Sequence, residues 1–260
     1  MPSILTVRSS AIAFIFSQLL LSDVLATPTA CPADSELSCH GSSQDTCCFN
    51  SPGGLLLLTQ FWDTDPATGP ADSWTIHGLW PDNCDGSYEQ YCDKSREYSN
   101  ITEIMEARGQ PQTLNDMKTF WKDYKGDDES FWAHEWNKHG TCISTMEVAC
   151  YSQYSDQEEV ADYFQTTVDL FKQVDTYQTL KDSGIVPDSS KEYDLSEIQA
   201  AISAKHGQEV TLKCESGQLK EVWYFWNVRG SVQTGEWVST RPAGSGSSCP
   251  KTGIKYLPKL

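Results

Sequence analysis

The chain has 260 residues, including ten cysteines, and its 36 acidic and 19 basic side chains leave a formal net charge of −17. Such a surface repels polyanions at neutral pH, which excludes broad electrostatic attraction to nucleic acid. The length is ample for one hydrophobic core and short for two, so we predict a single domain over residues 27–260.

The N-terminal segment has the pattern of a secretory signal peptide. An apolar run from Ala11 to Leu21 is followed by Val24-Leu25-Ala26, a small-residue cleavage pattern. A membrane anchor is the alternative, but it needs roughly 20 apolar residues, and Ser17 and Gln18 interrupt this run. We therefore predict that residues 1–26 are removed and that no membrane is involved.

All ten cysteines follow the predicted cleavage point, which favours five disulfides formed in an oxidising compartment. Spacing alone leaves their connectivity open. No CxxC pair occurs, which argues against a structural zinc site. Asn100 begins the only N-x-S/T sequon and is a candidate glycosylation site.

Two strands are predicted early in the chain and three helices in its middle. Apolar runs at residues 54–62 and 73–79 are typical of buried strands, the second ending at a proline turn. Helical periodicity covers residues 113–124, behind Thr113 as a cap, and continues over residues 156–182 and 194–206.

Strand character returns near the C-terminus, at residues 209–214 and 219–228, around a Ser216-Gly217 turn. Strands, then helices, then strands predict an α+β fold. We expect a central, mostly antiparallel sheet flanked by several helices.

The segment FWAHEWNKHGTC, residues 131–142, concentrates ionisable side chains. It is similar to the HExxH zinc motif, but His134 and His139 are five residues apart instead of four. In a helix capped by Ser130, at about 100° per residue, these histidines lie ~140° apart, too wide for one metal ion. The helix face between these two histidines also carries Phe131, Glu135 and Lys138.

An acid, a base and a cation on one face suit proton transfer at a negatively charged centre. An exposed helix with surface salt bridges is the alternative interpretation. His77, on the second predicted strand, is more typical of a core histidine when taken alone. It matters here because acid–base chemistry needs two imidazoles in opposite protonation states, and an unperturbed imidazole has a pKa near ~6.5.

WTIHGLWPD, residues 74–82, and FWAHEWNKHGTC together resemble the two signature segments of the ribonuclease T2 family of secreted acid ribonucleases. The resemblance extends from about Cys31 to Cys249. It implies cleavage of single-stranded RNA, with little base specificity and without metal or other cofactor. The ribose 2′-hydroxyl would attack the phosphorus and leave a 2′,3′-cyclic phosphate, later hydrolysed to a 3′-phosphate, so DNA would not react.

The resemblance also implies roles for individual residues. His139 would be the general base and His77 the general acid, Glu135 and Lys138 would stabilise the phosphorane, and His134 would hold phosphate. The shared helical face independently supports Glu135, Lys138 and His139, whereas the assignment of base and acid depends on the family. Lys138 is expected to lower the pKa of His139 and Glu135 to raise it, which leaves the pH optimum open.

Base recognition would use Trp80, Asp82 and Tyr88 at a first site and Phe131 at a second. Stacking on an aromatic ring contributes about 1–3 kcal/mol and tolerates any base. Ordinary core packing is the alternative for Trp80 and Phe131. The family pairing of cysteines would be Cys31 with Cys48, Cys39 with Cys84, Cys47 with Cys150, Cys92 with Cys142, and Cys214 with Cys249.

These expectations describe a monomeric, glycosylated endoribonuclease of the extracellular space or a vacuole-like compartment, with RNA as its partner. The alternative from another class is a noncatalytic secreted binding protein on the same scaffold. Retention of His77, Glu135, Lys138 and His139 argues against it, because a binding protein has no need of them. A metallohydrolase is disfavoured by the histidine spacing.

Overall fold

The structure is a computed structural model that describes residues 27–259, so the predicted signal peptide lies outside the described residues. Within them, six α-helices and seven strands follow one another along the chain. None of these helices is long and apolar enough to cross a membrane. The elements are β1 (Thr27–Pro28), β2 (Leu55–Phe61), β3 (Thr75–Asp82), α1 (Ile101–Ala107), α2 (Pro111–Phe120), α3 (Asp128–Lys138), β4 (Tyr151–Ser152), α4 (Glu158–Val174), α5 (Thr176–Asp182), α6 (Leu195–His206), β5 (Thr211–Glu215), β6 (Gln218–Arg229) and β7 (Glu236–Ser239).

The main sheet has the order β3-β2-β6-β5, with β7 also paired to β6, and every pairing is antiparallel. The predicted α+β class is therefore confirmed. Side chains alternate between the two faces of a strand, so Leu56 and Leu58 enter the large core that includes residues of the helices. Leu55 and Leu57 point to the other face, where they form a smaller cluster with Phe225.

Several predicted element boundaries shift in the structure. The helix expected from residue 113 begins at Pro111, because proline suits the first helical position, and Thr113 is buried rather than capping. The helical pattern at 156–182 is divided by Asp175, whose φ of 24° is not helical. The predicted cap Asp194 is confirmed, since it forms a capping box with Glu197.

The second predicted strand was expected to end at a proline turn, and this was wrong. Strand β3 continues through Pro81 to Asp82, with Pro81 opposite Leu56. Because β3 is an edge strand, the missing N–H of the proline breaks no bond to an outer neighbour.

A register shift in the β2–β3 pairing determines where His77 points. Thr59 pairs with Gly78 and Gln60 with Ile76, which leaves His77 as an extra residue without a partner. Such a bulge re-aims side chains, often beside active sites. It explains how His77 and Trp80, three residues apart on one strand, come to share a face, as their ring contact shows.

The ten cysteines form five disulfides, and none of them is free in residues 27–259. The pairs are those that the family resemblance implies: Cys31–Cys48, Cys39–Cys84, Cys47–Cys150, Cys92–Cys142 and Cys214–Cys249. The fourth bridge ends in the turn Gly140–Cys142, which directly follows His139.

Removal of the Cys92–Cys142 bridge by a double alanine substitution is expected to lower both stability and activity. The bridge closes 50 residues, so its loss should decrease the free energy of unfolding by about 4 kcal/mol in a chain-entropy model. The Cys214–Cys249 bridge closes 35 residues and is the matched control, with a similar loss. Urea unfolding measures both. Under conditions where both variants are folded, RNA cleavage should fall much further without Cys92–Cys142, and equal activities would contradict a role in holding His139.

Candidate active site

Helix α3 carries four of the nine candidate residues, Phe131, His134, Glu135 and Lys138. Asp127 caps it by accepting the backbone N–H of Ser130, so the predicted Ser130 cap was wrong and the helix begins earlier. The helix ends at Lys138, and His139 is the residue at its C-terminus, where the chain turns. Gly140 allows this turn, because a Cβ there would overlap the ring of Trp136.

Hydrogen bonds from Tyr163 and Trp121 join β3 to its surroundings at the site. The Tyr163 hydroxyl on α4 donates to the carbonyl of Leu79 at 3.0 Å and also contacts the carbonyl of Glu135 at 3.4 Å. The Trp121 indole donates to the carbonyl of His77 at 3.0 Å. Strand and helix are thus fixed relative to each other by groups other than the candidate catalytic side chains.

His77 lies against the sheet with 21% of its side chain exposed. Its ring stacks on Phe61 at a centroid distance of 3.9 Å, and its Nε2 is 3.8 Å from Oε1 of Glu135. Burial lowers the pKa of His77, and the positive charges of Lys138 and His134 lower it further.

His139 is more deeply buried, at 4% exposure. Its ring is nearly parallel to the indole of Trp80, with centroids 5.0 Å apart, and neither ring nitrogen has a hydrogen-bond partner among residues 27–259. Burial is the main cause that lowers its pKa, followed by Lys138 and then His77. The expected effect of Lys138 is therefore confirmed, whereas the expected rise from Glu135 is not among the influences on His139, and burial favours the neutral imidazole.

Glu135 is the most enclosed ionisable group of the site, with 1% exposure. Burial raises its pKa to about 8, against the opposing effects of the Trp80 hydrogen bond and of Lys138. Its two oxygens face different groups. Oε2 accepts the Trp80 indole N–H at 2.9 Å, and Oε1 faces His77 and, at 4.0 Å, the Nε2 of His134.

His134 and Lys138 lie at the rim of the site. The side chain of His134 is 45% exposed, and its Nδ1 is 3.4 Å from the Tyr91 hydroxyl. Lys138 has no ion-pair partner within the described chain, and it lowers the pKa of the three neighbouring imidazoles and of Glu135. In residues 27–259, no three His, Cys, Asp or Glu side chains are grouped so as to hold a metal ion.

The four predicted base-binding residues lie on two sides of this cluster. Trp80 contacts both His77 and His139, while Asp82 follows on β3 and pairs with Tyr88, which is 58% exposed. Burial raises the pKa of Asp82 to about 7. On the other side, Phe131 lines a cavity of about 530 Å³ together with Phe61, Tyr124, Lys122, His134, Lys220 and five carboxylates, those of Asp63, Asp65, Asp123, Glu215 and Glu221.

Sequence reasoning missed several residues that shape the site. Phe61 supports the ring of His77, and Tyr163 and Trp121 bind the backbone beside it. The strand pattern places Phe61 in β2 but contains no sign that a bulge brings His77 onto it. Tyr163 looks like any apolar position of an amphipathic helix, so no local signal identifies it.

The cluster contains one buried and one partly exposed imidazole at the same indole ring, a carboxyl that stays protonated in acid, and an ammonium without an ion-pair partner in the described chain. A neutral imidazole accepts a proton, an imidazolium donates one, and the other groups stabilise negative charge between them. Such a site is suited to acid–base chemistry on an anionic substrate.

The Ribonuclease T2 family model matches residues 53–239. The chain is 58% identical to ribonuclease T2 of Aspergillus oryzae over 93% of this chain and 88% of that protein. It is 59% identical to ribonuclease Trv of Hypocrea rufa, over 88% of this chain and 98% of that protein. A crystal structure of Actibind, described as a T2 ribonuclease, has a TM-score of 0.87 and 55% identity, covering 90% of this chain and 99% of that one.

The α+β fold and the histidine cluster thus occur in a chain that belongs to the ribonuclease T2 family. Both signature segments, at residues 74–82 and 131–142, lie inside the matched region.

Proposed function

We propose that this protein cleaves single-stranded RNA by metal-free transphosphorylation to 2′,3′-cyclic phosphates and then hydrolyses them to 3′-phosphates. Its membership of the family identifies it as an endoribonuclease of the T2 type. The observation that carries the proposed mechanism is the contact of both His77 and His139 with the Trp80 ring, at 4.7 and 5.0 Å. One phosphodiester in this cleft is within reach of both imidazoles.

His139 acts as the general base that removes the proton of the 2′-hydroxyl. This role needs a neutral imidazole with a free ring nitrogen, and His139 has a lowered pKa and two nitrogens without protein partners. His77 acts as the general acid that protonates the departing 5′ oxygen. It is more exposed than His139 and lies beside the Glu135 carboxyl, and a bound phosphate adds a negative charge that raises its pKa.

Glu135 and Lys138 stabilise the phosphorane as negative charge develops on its oxygens. A carboxylate would repel those oxygens, but burial keeps Glu135 protonated in acid, so it donates a hydrogen bond instead. Lys138 supplies a positive charge that no carboxylate of the described chain neutralises. His134, exposed at the rim, holds a phosphate oxygen.

The acidic surface and the anionic substrate are compatible in this proposal because the cations are local. Lys138 and the imidazolium groups attract the phosphate at short range. In an acidic medium many of the surrounding carboxylates are neutral, which weakens their repulsion of RNA. We therefore expect modest affinity and increasing activity toward acidic pH.

Bases bind on both sides of the phosphate, the first with Trp80, Asp82 and Tyr88 and the second with Phe131. Tyr88 offers an exposed ring next to Asp82, and Phe131 lines the cavity of about 530 Å³. Stacking on these rings tolerates any base, which supports little base specificity.

We also propose that the protein is exported and processed. Residues 1–26 are removed as a signal peptide, and residues 27–260 form one catalytic domain that is secreted or stored in a vacuole-like compartment as a monomer. The disulfides support an oxidising compartment. The side chain of Asn100, at the N-terminus of α1, is solvent-accessible and suitable for glycosylation.

Incubation of the purified protein with RNA and with DNA in the presence of EDTA tests the mechanism. Degraded RNA, intact DNA and cyclic phosphate ends are the expected result, because the reaction needs a 2′-hydroxyl and no metal. Loss of activity with EDTA would contradict metal-free chemistry, and indifference to RNA would favour a binding protein on the same scaffold.

A further inference from the structure

Trp80 has a second role beyond base stacking. We infer that Trp80 is a positioning residue, whose indole N–H orients the Glu135 carboxyl so that its Oε1 faces the scissile phosphate. This inference rests on the proposed function for the identity of the substrate, but the orientation itself is a property of the free protein.

The hydrogen-bond geometry distinguishes the two carboxyl oxygens. Oε2 accepts the Trp80 N–H at 2.9 Å, while Oε1 faces Nε2 of His77 at 3.8 Å and Nε2 of His134 at 4.0 Å. An indole nitrogen only donates, so Oε2 is the accepting oxygen. The carbonyl oxygen of a neutral carboxyl is the better acceptor, which favours the proton on Oε1. The donor O–H is thereby directed into the cleft between the imidazoles.

Gly78 lies against the carboxyl group of Glu135, where a larger residue would not fit. A Cβ at residue 78 would overlap Oε2 of Glu135 and would lie 2.7 Å from Nε1 of Trp80. The hydrogen bond is therefore formed in a gap that only glycine leaves open. Because Glu135 is 1% exposed, water cannot replace the indole as donor without rearrangement.

The ring of Trp80 also contacts three other rings. It stacks on His139, meets His77 edge to face, and contacts Trp223 at 5.5 Å. The titratable groups around Glu135 are His77 from β3, His134 and Lys138 from α3, and Tyr163 from α4. Of the groups that shift the pKa of Glu135, only Trp80 binds its side-chain oxygens directly, and this bond lowers the pKa.

Trp80→Phe keeps an aromatic ring and removes the N–H donor. The kcat for a dinucleoside phosphate is expected to fall about ten- to a hundredfold, as for the loss of a strong hydrogen bond, with a smaller change in KM. Trp223→Phe is the matched control, because the Trp223 N–H also donates to a glutamate, Glu221, at 2.7 Å. It should leave kcat nearly unchanged.

A double-mutant cycle shows whether Trp80 acts through Glu135. In a Glu135→Ala background, Trp80→Phe should have little further effect on kcat, because the group to be oriented is gone. Equal losses in both backgrounds, or a rise in KM alone, would overturn the inference and leave Trp80 as a platform for the base.

An NMR titration of the wild-type protein tests the orientation without any catalytic assay. The indole N–H resonance of Trp80 should shift as Glu135 titrates, and ¹³C-labelled carboxyl signals should show a higher pKa for Glu135 in Trp80→Phe. A Trp80 resonance that is insensitive to Glu135 would overturn the inference even if Trp80→Phe does not fold. If the protein fails to cleave RNA, the proposed function fails, whereas this titration still decides the orientation.

Discussion

Substitution of His139 by alanine is expected to lower kcat for RNA cleavage by a factor on the order of 100 or more, the usual contribution of a general base. The ring is buried, has a lowered pKa and offers free nitrogens, as the proposed base requires. Because the proposed role of His139 is to accept a proton and not to bind the nucleobase, KM should change less than kcat. Steady-state kinetics with a dinucleoside phosphate separate the two constants.

His40→Ala is the matched control for this prediction. His40 is exposed and contributes no side chain to the cleft, so its loss should leave both kinetic constants unchanged. Circular dichroism and urea unfolding show whether each variant is folded. Near-normal kcat in a folded His139→Ala protein would remove His139 from its assigned role.

Substitution of Gly78 by alanine is the second change with a large expected effect. The added methyl group overlaps Oε2 of Glu135 and crowds Nε1 of Trp80, so both side chains must move. A displacement of about 1 Å in catalytic geometry lowers rates about a hundredfold, and overpacking a buried site costs typically 1–3 kcal/mol of stability. We expect losses of this size in kcat and in the free energy of unfolding.

Gly246→Ala provides the comparison. No atom lies within 4 Å of a Cβ at residue 246, so this variant should retain full activity and stability. If Gly78→Ala is folded and as active as Gly246→Ala, the tight arrangement of Gly78, Trp80 and Glu135 does not matter for catalysis.

The sequence predicted those parts of the fold that follow from local patterns. Periodicity located the central strands and helices, and Asp194 marked the start of α6. Strand β7 and helix α1 were missed. Strand β7 is four residues long and α1 is seven, too short for periodicity to stand out from the flanking loops.

The sequence predicted which side chains meet at the candidate site, but it did not predict how they are arranged. Residues on α3 share a face because helical spacing requires it, and His77 was added by the need for a second imidazole and by the family resemblance. The bulge that turns His77 toward Trp80, and the bond from Trp80 to Glu135, depend on pairing between segments distant in sequence. The local sequence contains no pattern that predicts such contacts. For the same reason, it does not predict the burial that shifts the pKa values of Glu135 and His139.

The central claim is that His77 and His139 perform opposite proton transfers on one phosphodiester. A substrate in which sulfur replaces the departing 5′ oxygen tests it most directly, because a thiolate leaves without a proton. We predict that this substrate restores His77→Ala to nearly wild-type rates and leaves His139→Ala as impaired as before. Rescue of His139→Ala, or of neither variant, would contradict the account.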